Sequence, residues 1–230
     1  DDIADAMNHG MASPHNLRAF LAWAEGNWGT RYAVLAGDAC FDYKDVTGLC
    51  ADLVSTPQVS TPYGLYACDP CLGDTDGDTY QDVQVSRIPA ADETALAAYL
   101  AKLRAYEAAL PTERRVLLVA DKADLSGDFA ADSDGFAEQL ALEAPDVAVE
   151  KLYLDEVDLT SAQATLKARL GEAGLWTNYL GHGGGTNLSK SSLLVNADTA
   201  AISGGSGVLN AMTCVVSLHD SPHFQSLSEA

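Results

Sequence analysis

Six short apolar runs alternate with amphipathic stretches along this chain, and that alternation constrains the fold more than any other feature. The runs lie at 32–39 (YAVLAGDA), 83–88, 116–121, 149–154, 175–181 and 207–214. Most are followed by polar or glycine-rich residues, as buried strands are. The stretches between them have helical signatures. Ser13 and Pro14 stand at N-cap and first-turn positions of one helix. Residues 92–109 place Leu96, Leu100 and Leu103 on one face, and 136–144 read as a short helix. Residues 160–174 open with Thr160 and Gln163 at capping-box spacing, and carry Ala162, Leu166, Leu170 and Ala173 on a stripe. Strands alternating with helices imply α/β layers around a mostly parallel sheet.

The chain's 230 residues suffice for one large domain or two closely joined ones. We expect a smaller α/β subdomain over 1–110 and a second subdomain over 111–230. The formal net charge is −20, a surface that repels phosphate backbones, so no nucleic-acid partner is expected. No run approaches the ~18 apolar residues needed to span a membrane. The chain opens Asp1-Asp2-Ile3 rather than with methionine, and we expect it to be the interior of a longer precursor with flanking domains.

Cysteine use is uneven. Cys40, Cys50, Cys68 and Cys71 cluster, whereas Cys214 stands alone far downstream. Two disulfides, in any of three pairings, fit the cluster and imply a secreted or cell-surface protein. A zinc site is the rival reading, with only Cys68-x-x-Cys71 at ligand spacing. Asp74, Asp76, Asp78 and Asp82 offer hard oxygen ligands at alternate positions, which suits a structural calcium ion. The loop is not an EF-hand, because Gly77 is at its fourth position and Val85 at its twelfth. Asp69 is close enough in sequence to join this loop or the cysteine cluster. His219 and His223 have metal-ligand spacing, but Pro222 between them breaks the helix that spacing needs. They read as surface histidines.

In open parallel sheets, reactive groups sit just beyond the carboxyl ends of strands. His182 follows one expected strand, within Gly181-His182-Gly183-Gly184, and Cys214 ends another. An imidazole promotes a thiolate, and glycine lets backbone N–H groups approach a substrate carbonyl. From residue types alone, a turn histidine and a core cysteine explain the same pattern.

The order and spacing of several motifs add to this reading. Asn178–Thr186 (NYLGHGGGT), then LNAMTC at 209–214 and SPHFQSLSEA at 221–230, resemble the gingipain-type cysteine peptidases, clan relatives of the caspases. Residues 32–45 resemble the family's strand and Gly-Asp segment. Residues 74–90 resemble its acidic loop, running into a Gly-Arg-hydrophobic-Pro motif in which Ser86 replaces the glycine before Arg87, Ile88 and Pro89. Residues 98–107 are similar to the helix that follows.

The resemblance implies a caspase-like α/β/α sandwich preceded by the smaller subdomain. It implies a cysteine endopeptidase acting on protein or peptide substrates, with no cofactor in catalysis. Cys214 would be the nucleophile and His182 the base and acid, with the N–H groups of Gly183 and Cys214 as oxyanion donors. A carboxylate orients the histidine in this family. Asp121 is preferred here because it ends its strand directly, with Asp124 second. Some relatives read a basic substrate side chain with a carboxylate near a helix start. Asp134 is the nearest match, in a segment where Asp128 and Asp132 otherwise read as helix-capping groups. The family usually continues with a further helix and strand beyond Ala230. Three other functions share these residues: acyl transfer to an amine on the same dyad, a catalytically silent surface domain, and a metal hydrolase built on His182, His219 and His223.

Overall fold

A computed structural model describes residues 2–108, 114–202 and 207–230. The chain divides into two units, Asp1–Tyr99 with Leu218–Glu229, and Leu100–Ser217 with Ala230. The expected boundary at 110/111 lies outside the described residues.

The first unit contains helices α1 (Asp2–Asn8) and α2 (Pro14–Trp28), strands β1 (Tyr32–Ala36), β2 (Gln58–Thr61) and β3 (Gly64–Ala67), helix α3 (Pro70–Gly73) and strand β4 (Gln84–Ile88). Ser13 caps α2 as expected, its side chain accepting from the His15 N–H, with Pro14 in the first turn. Strands β1 and β4 pair in parallel, while β2 and β3 form a hairpin. Leu21 of α2, Leu35 of β1, Leu72 of α3 and Val83 form the core, with Leu17, Ala33, Val54 and Val85 against them. Helix α4 (Glu93–Ala108) forms as expected, but it has no buried residue and Leu103 is exposed. Ala109, at the end of the expected helix, lies outside the described residues.

The second unit is built on a parallel sheet. Its elements are β5 (Arg115–Ala120), α5 (Phe129–Glu143), β6 (Ala148–Tyr153), α6 (Leu159–Leu170), β7 (Leu175–Leu180), the short strands β8 (Gly183–Gly184), β9 (Asn187–Leu188) and β10 (Leu194–Val195), helix α7 (Asn196–Thr199) and β11 (Val208–Met212). The sheet order is β11-β7-β5-β6, all parallel. The step from β5 to β6 runs one way across the sheet, and the step from β6 to β7 returns past β5. Right-handed crossovers therefore place α5 and α6 on opposite faces. Side-chain alternation agrees: Val116, Leu118 and Ala120 pack with Phe129, Ala130 and Ala137 of α5. Leu117 and Val119 point to the other face and are also buried, as are Ala162 and Leu166 of α6.

Chain connections leave β5 toward β6 and leave β7 toward β11, in opposite directions. The crevice beyond the carboxyl ends of β5 and β7 is thus the switch point of the sheet, the place where this architecture leaves room for a ligand. Helix α6 starts two residues earlier than its Thr160–Gln163 pattern suggested. Asp158 is its N-cap and accepts from the Ser161 N–H at 3.0 Å. Helix α5 likewise starts at Phe129, capped by Asp128, so Asp132 and Asp134 lie within it rather than before it.

Candidate active site

Three strand ends converge on one edge of the second unit. Ala120 is opposite Leu180, and Leu180 is opposite Met212. Strands β7 and β11 pair with an offset of 32 residues, and the same 32 separate His182 from Cys214. Each therefore stands two residues past the last paired position of neighbouring parallel strands.

Asp121, directly after β5, is 3% exposed. A buried carboxylate needs donors, and it has them. It accepts from its neighbour Lys122 N–H at 2.8 Å, from the His182 backbone N–H at 3.1 Å and from the Ser189 hydroxyl at 2.8 Å. The Tyr179 hydroxyl lies 3.2 Å from the same carboxylate and 2.6 Å from the His182 carbonyl, so one proton serves both acceptors. Burial, and then the Asp121 charge, push the Tyr179 phenol up, which keeps it a donor. The Ser189 N–H closes the set by donating to the His182 carbonyl at 2.7 Å. The backbone of His182 is thus fixed on both sides.

The glycine before it makes this possible. Gly181 has φ +157°, and a Cβ there would lie 2.3 Å from the Asp121 Cβ and 2.7 Å from the Tyr179 hydroxyl.

The imidazole itself meets a different carboxylate. His182 Nε2 is 2.9 Å from Asp124 Oδ2. This corrects the preference for Asp121, whose oxygens are taken up by backbone and hydroxyl donors beneath the ring. Asp124 sits in a tight turn closed on Gly127, and its other oxygen accepts from the Ser126 N–H at 2.8 Å. Its Oδ2 also receives Lys190 Nζ at 2.5 Å. Hydrogen bonding from Lys190, then from Ser126 and His182, holds the Asp124 carboxyl far below the usual carboxylate range despite some desolvation. Phe129, the first residue of α5, sets its ring edge-on to the imidazole at 5.3 Å and 85°. With Nε2 on a carboxylate, Nε2 carries the proton of the neutral ring and Nδ1 is the basic atom.

Cys214 is a free, exposed thiol. The next residue, Val215, has φ +45°, a left-handed conformation unusual for a β-branched side chain and a sign of local strain. Gly183 is pressed against this segment. A Cβ at Gly183 would lie 2.5 Å from Thr213 Oγ1, 2.8 Å from the Cys214 carbonyl and 2.8 Å from Val216 Cγ1. Gly183 and Gly184 pair with Leu188 and Asn187 of β9. Because the His182 carbonyl faces β9, the alternation of an antiparallel ladder turns the Gly183 N–H away from it.

Asp134 has partners of its own: Lys151 Nζ at 2.6 Å and the Tyr153 hydroxyl at 2.7 Å. Bonds from Lys151, then Tyr153, hold its carboxyl below its ordinary value.

The remaining expected site residues lie in the first unit. Cys40 is joined to Cys50, and Cys68 to Cys71. The second disulfide removes both sulfurs from the rival zinc reading. Among the described residues, the one group of three or more His, Cys, Asp or Glu side chains placed to hold a metal is Asp74, Asp76 and Asp78, with ligand atoms within 4.8 Å of one another. Asp82 stands apart from that group and accepts from the Thr75 N–H and hydroxyl at 3.0 and 2.8 Å. Among the described residues, neither His219 nor His223 joins a metal-ligand group. His219 is not a surface residue: its side chain is 10% exposed, with Nε2 3.5 Å from Asp69.

Arg87, from the motif in which Ser86 replaces glycine, is a buried hub. It donates to Asp69 through two nitrogens at 2.7 and 2.8 Å, to the Gly37 carbonyl at 2.6 Å and to the Val54 carbonyl at 2.9 Å. Burial pushes the Asp69 carboxyl up, but the Arg87 bonds and charge outweigh it and leave the group below its ordinary value.

Sequence reasoning missed Lys190, Ser189, Tyr179 and Phe129. Tyr179 and Ser189 belong to a buried polar network that no periodicity marks. Lys190 lies in the polar segment Ser189–Ser192, which has no motif.

A parallel α/β sheet with a carboxylate-bonded imidazole at its switch point, and an exposed thiol at the matching position of the next strand, has the layout of the caspase-like class. A family model, Peptidase family C25, matches residues 1–230, and the chain belongs to that family. The motif resemblance is borne out, and membership makes this a cysteine peptidase by family. No curated protein and no solved structure matches the chain. No helix among the described residues is long and apolar enough to cross a membrane.

Proposed function

We propose that the chain is a secreted endopeptidase that hydrolyses peptide bonds through Cys214 and His182. The observation that carries this reading is the shared register: base and thiol at equivalent positions beyond adjacent strands, with Gly183 packed against the cysteine. Nδ1 of His182 takes the thiol proton, and the thiolate attacks the substrate carbonyl. The N–H groups of Gly183 and Cys214 hold the oxyanion. Asp124 fixes the tautomer and stabilises the imidazolium, which then protonates the leaving amine. The same imidazole activates water against the acyl-enzyme. Asp121 does not touch the reacting atoms in this scheme; it fixes the backbone that presents the ring. A role for Asp134 in reading a basic substrate side chain requires that side chain to replace Lys151.

The test is a peptide-library digest with the wild type and the Cys214→Ala and His182→Ala variants. Cleavage lost in both variants, with unchanged melting temperatures, supports the scheme; cleavage retained in Cys214→Ala sinks it.

Two disulfides support an extracytoplasmic site of action, because such bonds persist in oxidising compartments. Fractionation of the native host, with the protein found in the cytosol, would contradict secretion. The Asp74–Asp76–Asp78 group supports a structural calcium ion in the first unit. Added calcium should raise the melting temperature of the wild type and not that of an Asp76→Asn, Asp78→Asn variant.

A further inference from the structure

The Asp124 oxygen that binds the imidazole is shared with a cation. Lys190 Nζ lies 2.5 Å from Oδ2 and His182 Nε2 lies 2.9 Å from it. A solvent-exposed lysine beside a carboxylate is common and contributes little to stability. This one is held in place by the buried network.

Lys190 occupies a turn in which Ser189 and Ser192 both have left-handed φ, +66° and +58°. The turn is closed by the Ser192 N–H donating to the Ser189 carbonyl at 3.0 Å and the Ser191 N–H donating to the Ser189 hydroxyl at 3.0 Å. Ser189 is fully buried, and its hydroxyl donates to Asp121 Oδ1. The other oxygen of Asp121 holds the His182 N–H. One buried carboxylate therefore anchors both the backbone of the base and the backbone that carries the lysine. The lysine's own side chain is 65% exposed, so the fixed point is the turn and not a packed stem.

Titratable and charged groups on the elements around the imidazole are Asp121 and Asp124 after β5, Asp128 at the cap and Asp132 in the first turn of α5, Tyr179 of β7, and Lys190 between β9 and β10. Asp124 favours the imidazolium. Lys190 opposes it, both by its own charge and by drawing on the same oxygen.

We propose that Lys190 is a positioning residue for the reaction: by sharing Asp124 Oδ2 with His182 it limits how strongly that carboxylate stabilises the imidazolium, and so sets the pH range in which the base works. The proposal rests on the reading of His182 and Cys214 as the working pair. Its sign follows from charge. A nearby cation favours the neutral ring, so its removal lets the imidazole hold its proton to higher pH.

The experiment is an NMR titration of the His182 ring in the whole chain, for the wild type, Lys190→Met and Lys190→Arg, with His182→Ala to assign the signal. In parallel, the alkylation rate of Cys214 is compared between the wild type and His182→Ala. The proposal predicts a higher His182 midpoint in Lys190→Met than in the wild type, with Lys190→Arg restored to the wild-type value. A purely structural role for Lys190 gives no such rescue-dependent shift. An unmoved midpoint in Lys190→Met overturns the proposal. Wild-type Cys214 labelled no faster than in His182→Ala sinks the working pair itself, and the proposal with it, a failure distinct from an unmoved titration.

Discussion

Replacing Gly183 by alanine perturbs the site through a single methyl group. Gly183 does not have positive φ, so alanine brings no backbone strain; its effect is close approach alone. The new Cβ would lie 2.5 Å from Thr213 Oγ1 and 2.8 Å from both the Cys214 carbonyl and Val216 Cγ1. Relief of three such contacts requires the 213–216 segment to move by several tenths of an ångström. All three obstructing atoms are backbone or belong to β-branched side chains, which have little freedom to rotate away. Overpacking of this kind costs about 1–3 kcal/mol, and in a chain of this size each kcal/mol lowers the melting temperature by roughly 2–4 °C. The loss of function should exceed the loss of stability, because a displacement approaching 1 Å at reacting groups costs about 10²-fold in rate.

Gly184→Ala is the control. Its Cβ would meet only Asn187 Oδ1 and Cγ, at 2.8 and 3.7 Å, the far end of a side chain that can swing aside. Scanning calorimetry and the Cys214 alkylation rate measure the two effects. Gly183→Ala should melt lower and label Cys214 at least tenfold more slowly, while Gly184→Ala stays near wild type. Equal behaviour of the two variants would refute the claim that Gly183 is wedged against the cysteine.

Three further substitutions test other parts of the account. Asp124→Asn should lower turnover of a cleavable peptide by about 10²- to 10⁴-fold while the melting temperature hardly changes, and wild-type turnover would contradict the assignment of the imidazole partner. Asp38, whose Oδ1 is buried without a hydrogen-bond partner, has its carboxyl pushed up to about 6 by burial and then by Glu229, against Arg87. A raised carboxyl gives stability below its unfolded value that is lost as pH rises through about 6, so Asp38→Asn should stabilise the protein at pH 7 by about 1–2 kcal/mol after solvent screening, with the gain vanishing by about pH 4 in chemical denaturation. Arg87→Met strips buried Asp69 of its bidentate guanidinium partner, leaving only the longer 3.5 Å contact to His219 among its ion pairs, and should destabilise by about 3–5 kcal/mol in urea; a loss under about 1 kcal/mol would show that Arg87 is not the hub described.

The six principal strands were legible as short apolar runs; β5 and β7, at the centre of the parallel sheet, are the largely buried ones, whereas β1, β4 and β11 are apolar in sequence but mostly exposed or half-buried. The hairpin of β2 and β3 was not legible, since Gln58–Thr61 is mostly polar and partly exposed. The two-residue strands β8 to β10 are too short for any periodicity to register. His182 and Cys214 stood out because strand ends in parallel sheets collect reactive groups and because glycines flank the histidine. The structure sets Asp124, the second choice, against the imidazole rather than Asp121, for a physical reason. A side chain directly at a strand end turns into the layer beneath the sheet edge, where Asp121 binds backbone and hydroxyl donors. The ring lies farther out and is met by Asp124, after the chain has turned. Asp134 was placed before a helix that in fact begins five residues earlier, at Phe129. Lys190 left no trace in the pattern, since its place depends on Ser189 meeting Asp121 across 68 residues of chain.

The central claim is that the His182 imidazole activates the Cys214 thiol. Brief, limited alkylation of the native protein, mapped by mass spectrometry, tests it directly when run beside His182→Ala. The account predicts fast labelling of Cys214 that slows sharply in the variant. Slow labelling at the same rate in both would contradict it.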